Sequence, residues 1–127
     1  MQKPPIPARL AGAKAEDAVA ALYDQNSYRI LARNYTRRGG EIDLIAMKHH
    51  VVHFVEVKAR QSLSYGAPRE AVDYHKRQRL RHVAQDYLCH HPGIDRETTC
   101  FVFDIAEVYL ASRCIHVIFN AFGMEEA

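Results

Sequence analysis

The chain has 127 residues, of which 48% are apolar and 25% charged. That balance suits one globular domain and excludes disorder or a low-complexity fibre as a reading of the whole chain. The net charge of +2 argues against a uniformly basic binder, but it conceals a partition. Residues 29–82 hold twelve basic and five acidic side chains, a local +7, whereas residues 83–127 hold two basic and seven acidic, a local −5. The middle segment is either a solvated face or a field for an anionic partner.

In chain order, the proline-rich residues 1–10 read as a flexible arm with no apolar stretch of the kind a secretory signal needs. From Ala11 to Gln25, Ala15, Ala18, Val19 and Leu22 recur at helical spacing, with Glu16 beside that stripe. Asn26 and Ser27 end this helix, and Tyr28–Leu31 reads as a short strand. Gly39 and Gly40 mark a turn. Glu41–Met47 and Val51–Arg60 follow as two strands joined by Lys48–His50, most simply an antiparallel hairpin. A helix is expected from about Arg69 to Cys89, with Val72, Lys76, Leu80, Val83, Ala84, Tyr87 and Leu88 on one side, ended by His91-Pro92-Gly93. Thr99–Val108 and Cys114–Phe119 read as two further strands. The expected product is an α/β domain over residues 11–122, a mixed central sheet flanked by helices, with a tail at 123–127. No apolar run is long enough to span a membrane.

The cysteines carry little chemistry. Cys89, Cys100 and Cys114 stand at no metal-ligand spacing and read as reduced thiols of a cytoplasmic protein, with Cys100 and Cys114 as small core residues. His49-His50 and Cys89-His90-His91 read as loop residues, because adjacent side chains point apart.

The hairpin carries more. Its first strand shows Glu41, Asp43 and Ile45 on one face and Ile42, Leu44 and Ala46 on the other. Its second strand shows Val52, Phe54, Glu56, Lys58 and Arg60 on one face, with His53 on the apolar opposite face. Folding over a turn near residue 49 places Asp43 opposite Phe54 or Glu56, and keeps Asp43, Glu56 and Lys58 on one side. Two carboxylates about 7 Å apart repel by roughly 2 kcal/mol at an effective dielectric near 20. Lys58 offsets part of that, and a hard divalent cation such as Mg²⁺ or Mn²⁺ offsets more. The bland alternative is a row of solvated charges on a half-exposed sheet. Against it stands the meeting of both charged strand ends within a largely apolar hairpin.

Gly40-Glu41-Ile42-Asp43-Leu44-Ile45-Ala46, followed by Phe54-Val55-Glu56-Val57-Lys58-Ala59-Arg60, resembles the PD-(D/E)XK nuclease signature. With Gly12 and Ala15-Glu16, Arg33-Asn34-Tyr35, Lys76 and Phe103-Asp104, the chain over residues 11–122 resembles the small bacterial YraN family. The resemblance implies a restriction-endonuclease-like core similar to that of Holliday-junction resolvases. It also implies Mg²⁺ (or Mn²⁺) held by Asp43, Glu56 and the first-helix acid Glu16, with Lys58 assisting the attacking water. Ile42 stands where the signature has proline, a departure that leaves the metal ligands in place. Glu41 is either an acid at the site's edge or a surface charge.

Around that core, Lys76 is either a lysine snorkelling at the boundary or a phosphate contact. Arg60, Arg69, Arg77, Arg79 and Arg81 are candidates for phosphate contacts without base specificity, and Tyr65 for stacking on a base or plain packing. The expected activity is metal-dependent hydrolysis of DNA phosphodiesters, branched DNA included, for which a homodimer would match a two-fold substrate. The alternative is a nucleic-acid-binding module that does not cut and serves a larger DNA-processing machine. An interaction protein unrelated to nucleic acid is the third reading.

Overall fold

A computed structural model describes residues 13–60 and 72–124. Seven elements follow one another: α1 (Ala13–Gln25), β1 (Arg29–Arg37), β2 (Gly40–Lys48), β3 (Val51–Arg60), α2 (Tyr74–Cys89), β4 (Cys100–Tyr109) and β5 (Cys114–Phe122). The five strands form one sheet in the order β1-β2-β3-β4-β5. Neighbours are antiparallel except β3 and β4, whose parallel pairing brackets α2 as the crossover helix. The fold is thus α/β with a mixed sheet, as the residue pattern leads one to expect.

Side-chain alternation sends each strand's apolar residues to two helices on opposite faces. Leu44, Ala46, Val55, Ala106, Val108 and Ile115 pack with Ala15, Val19, Leu22 and Tyr23 of α1. Ile45, Val52, Phe54, Phe103 and Ile105 pack with Leu80, Val83, Ala84, Tyr87 and Leu88 of α2. Each of these large side chains, wholly buried, contributes about 1.5–3 kcal/mol. The central strands are apolar on both faces because both faces are covered. Among the described residues no helix is long and apolar enough to cross a membrane.

Local chemistry sets the turns. Ser27 takes a left-handed conformation just past α1, while the Asn26 side-chain amide donates to Leu22 O at 2.7 Å. The β1–β2 hairpin closes at Arg37 and Gly40, with Gly39 at a φ of 101° that favours glycine. The β2–β3 hairpin pairs Lys48 with Val51, leaving His49 and His50 as a two-residue turn, both with positive φ. This accounts for the two histidines as turn residues.

Four expectations are corrected. Strand β1 runs nine residues rather than four, because the polar Arg33, Asn34 and Thr36 lie exposed on an edge strand, where one side is free to face water. Helix α2 begins at Tyr74, since the Asp73 side chain caps it by accepting from Lys76 N at 2.9 Å; Arg69 lies outside the described residues. Cys100 is exposed and Cys114 half-buried, each at the first position of its strand. Finally, Ile42 packs on the α2 side with Ile45, not with Leu44 and Ala46. The alternation of β2 therefore breaks at Asp43, at the centre of the candidate site. Gly40 fits beneath α2 at this end; a Cβ there would meet Val83 Cγ2 at 3.3 Å.

Candidate active site

The break has a simple cause. Strands β2 and β3 stay in register from Lys48 and Val51 to Leu44 and Val55, and the ladder then stops. The next residues, Asp43 and Glu56, stand where the strands part. Parting leaves the Val57 N–H without a strand partner, and Asp43 Oδ2 accepts it at 2.8 Å. The Asp43 carboxylate is thus held near the plane of the sheet, between the two helix-covered faces.

Three further acids act on it. Glu56 is buried, and both the Lys76 and Lys58 ammonium groups reach its Oε2, at 3.2 and 3.5 Å. Glu16, in the first turn of α1, adds its charge to the field at the Asp43 carboxyl. Glu41 stays exposed, with Thr36 Oγ1 donating to its Oε1 at 3.1 Å, yet its charge is felt by both Asp43 and Glu16. Burial is the main force pushing the Asp43 carboxyl up to about 7; the Val57 N–H pulls it down, and Glu56, Glu16 and Glu41 add to the rise. Glu16 is also raised, by burial first and Glu41 second, with Arg33 opposing. Arg33 itself is tied to Asp17 at 2.6 Å.

This arrangement brings together Asp43, Glu56, Lys58, Glu16 and Lys76. Lys76 turns inward onto Glu56 instead of outward to solvent. The exposed Arg79 lies on α2 above Gly40, and Arg60 closes β3 beside Tyr109. Arg69 and Tyr65 lie outside the described residues. Arg81 is corrected: it is buried, its Nε donates to Gly123 O at 2.9 Å, and it lies over the Phe122 ring, so it fastens the chain's end to α2. Arg77 donates to Val72 O at 3.0 Å and helps fix the start of α2.

The donor set suits a hard cation. It offers carboxylate oxygens, the donors a hard cation prefers, and burial first, with like charge adding to it, raises both Asp43 and Glu16. Among the described residues no three acidic, imidazole or thiol groups already converge on one point. Gathering Asp43, Glu56 and Glu16 around an ion would require Glu56 to exchange lysine partners for it.

A second polar cluster escaped the sequence reading. On the α1 side, Asp104 accepts from the Tyr23 hydroxyl and pairs with His53 Nδ1, both at 2.6 Å, and its Oδ1 accepts from Asn120 N at 2.9 Å. The resemblance had picked out Asp104 without a partner. Its contact with His53 depends on the parallel β3–β4 pairing, which joins residues 51 apart in the chain.

The α/β core, a five-stranded mixed sheet with two helices, is consistent with a restriction-endonuclease-like core. The family model described as "Uncharacterised protein family UPF0102" matches residues 15–108, and the chain belongs to that family, the YraN family. A UPF0102 protein of Alkaliphilus metalliredigens is 42% identical over 112 residues, covering 87% of this chain and 96% of the relative. One from Acetivibrio thermocellus is 43% identical over 106 residues, covering 83% of this chain and 79% of the relative. One from Caldanaerobacter subterraneus is 39% identical over 102 residues, covering 80% and 81%. The matched span includes every acid and lysine of the candidate site.

Proposed function

We propose that this protein is a Mg²⁺- or Mn²⁺-dependent endonuclease that hydrolyses DNA phosphodiesters in the cytoplasm, including those of branched DNA. The observation that carries the reading is the cluster of Asp43, Glu56 and Glu16 with Lys58 at the parting of β2 and β3. Asp43, Glu56 and Glu16 would hold the cation, which supplies charge neutralisation at the phosphate and a more acidic water. Lys58 would orient the attacking water, and Lys76, released from Glu56, would meet a phosphate oxygen. Arg60, Arg69 and Arg79 would extend that contact along the backbone, and Tyr65 would stack on a base.

The test is cleavage by the purified protein over linear, flapped and four-way DNA, with Mg²⁺, Mn²⁺ or EDTA. Metal-dependent nicking that vanishes in both Asp43→Ala and Lys58→Ala supports the reading. Activity surviving both substitutions sinks it.

One observation favours a second reading. Glu56 is already paired with two lysines, as a structural ion cluster would be. A non-cutting nucleic-acid-binding module serving a larger DNA-processing machine would show salt-sensitive binding that persists in EDTA and in Asp43→Ala, with no cleavage of any substrate.

A further inference from the structure

Glu107 is the most anomalous side chain outside the cluster. It lies on β4, is 0% exposed, and is among the largest fully buried side chains. Its Oε1 meets His116 Nδ1 of β5 at 3.0 Å, while its Oε2 is buried without a hydrogen-bond partner. The Tyr109 hydroxyl beside it is held protonated by burial and by this carboxylate. A buried carboxylate oxygen left unpaired is costly, so its retention asks for a partner that arrives in another state.

The sheet supplies that partner. In the parallel β3–β4 pairing Lys58 stands directly beside Glu107, and neighbouring strands lie about 4.8 Å apart. Ile105, two residues before Glu107, packs on the α2 side, and Phe54, four residues before Lys58, packs there too, so the two side chains rise from the same face. Glu56 has two ammonium groups on one oxygen; Glu107, one strand over, has an oxygen with none.

Resting on the metal-site reading above, we propose that Glu107 is the alternative anchor of Lys58. When a divalent cation takes the Glu56 carboxylate, the Lys58 ammonium transfers to Glu107 Oε2 and stays over the site. His116 meets Oε1, and Oε2, buried without a hydrogen bond, is the oxygen left for the ammonium. Glu107 is a positioning residue: it acts through Lys58 and touches neither metal nor substrate.

Calorimetric titration of Mn²⁺ into the wild type, Glu107→Gln, Lys58→Ala and the double variant tests this without reference to cleavage. With its alternative anchor gone, Lys58 competes harder for Glu56, so Glu107→Gln weakens Mn²⁺ binding about tenfold. In the Lys58→Ala background the same substitution changes nothing. An equal loss in both backgrounds, or no loss in either, overturns the proposal while the metal site stands. A wild type that binds no Mn²⁺ overturns the metal-site reading and the proposal with it. If Glu107→Gln does not fold, the crystal structure of the unaltered protein with Mn²⁺ decides. Lys58 Nζ within about 3.5 Å of Glu107 Oε2 supports the transfer. Lys58 still on Glu56, or turned to solvent, with Mn²⁺ on Asp43, overturns it.

Discussion

Asp104 and Asp43 are both aspartates buried in the same sheet, and they are buried in opposite ways. Asp104 is surrounded by donors: a tyrosine hydroxyl, an imidazole and a backbone N–H fill its two oxygens. Asp43 has one backbone donor and three acids for company. The first arrangement stabilises the fold, since each buried acceptor is satisfied. The second costs stability, and burial together with like charge pushes Asp43 up to about 7. The contrast teaches that burial of a carboxylate says little by itself; the sign of its neighbours separates an acid stabilised as the anion from one pushed toward its protonated form.

The strongest test of the contrast is to exchange the outcomes. On the endonuclease reading, Asp43→Ala lowers metal-dependent cleavage by about a thousandfold or more, because a ligand and its charge are lost together. Asp104→Ala leaves cleavage per folded molecule nearly unchanged. Rates on a nicked-plasmid assay, normalised to folded protein, check both. Comparable loss of rate in the two variants would erase the distinction.

Stability runs the other way. Removing the Asp104 carboxylate leaves the Tyr23 hydroxyl and His53 imidazole unpaired in an aromatic pocket with Tyr28 and Phe119. Asp104→Ala should therefore lower unfolding free energy by about 3–5 kcal/mol in urea titrations. A loss under about 1 kcal/mol would mean that the network is incidental.

Asp43→Asn should stabilise, and pH reveals why. A carboxyl raised in the fold binds its proton more tightly there than in the unfolded chain. The associated stability is full below the unfolded value, near 3.8, and is lost as pH rises through about 7. The asparagine, which cannot ionise, escapes that loss and still accepts from Val57 N. The gain should be near zero at pH 4 and on the order of 2 kcal/mol at pH 8, after allowance for solvent screening. Thermal unfolding of both proteins at the two pH values measures it; a gain that is equal at both would show that ionisation of Asp43 is not its source.

How much of this was readable from residues depends on the range of the interaction. Period-two alternation in Val51–Arg60 put Glu56 and Lys58 on one face, and helical spacing put Lys76 toward the sheet. Those are local regularities, and the structure keeps them. The same rule misplaced Ile42, because β2 leaves its partner at Asp43 and the pleat no longer dictates the face. Edge strand β1 was underestimated for a related reason: its polar residues look like a loop until the sheet order shows that one side faces water. The Asp104 network and the Lys58–Glu107–His116 row were out of reach. Both require the β3–β4 parallel register, fixed by a crossover through α2 and not by any nearby residue.

The smallest expected effect probes the rim of the contrast. Glu41 is exposed, so its charge acts on Asp43 and Glu16 through solvent rather than by contact. Glu41→Gln should lower the Asp43 carboxyl slightly and stabilise the protein at pH 8 by a few tenths of a kcal/mol, about the scale of an exposed pair. Because the Debye length falls from about 10 Å at 0.1 M salt to about 3 Å at 1 M, that gain should fade with added NaCl. The larger gain from Asp43→Asn should persist in salt, since its main source is burial, which salt does not screen. Thermal unfolding of both variants at pH 8 across a NaCl series separates the two. A Glu41→Gln gain insensitive to salt would place Glu41 within the buried cluster instead of at its edge.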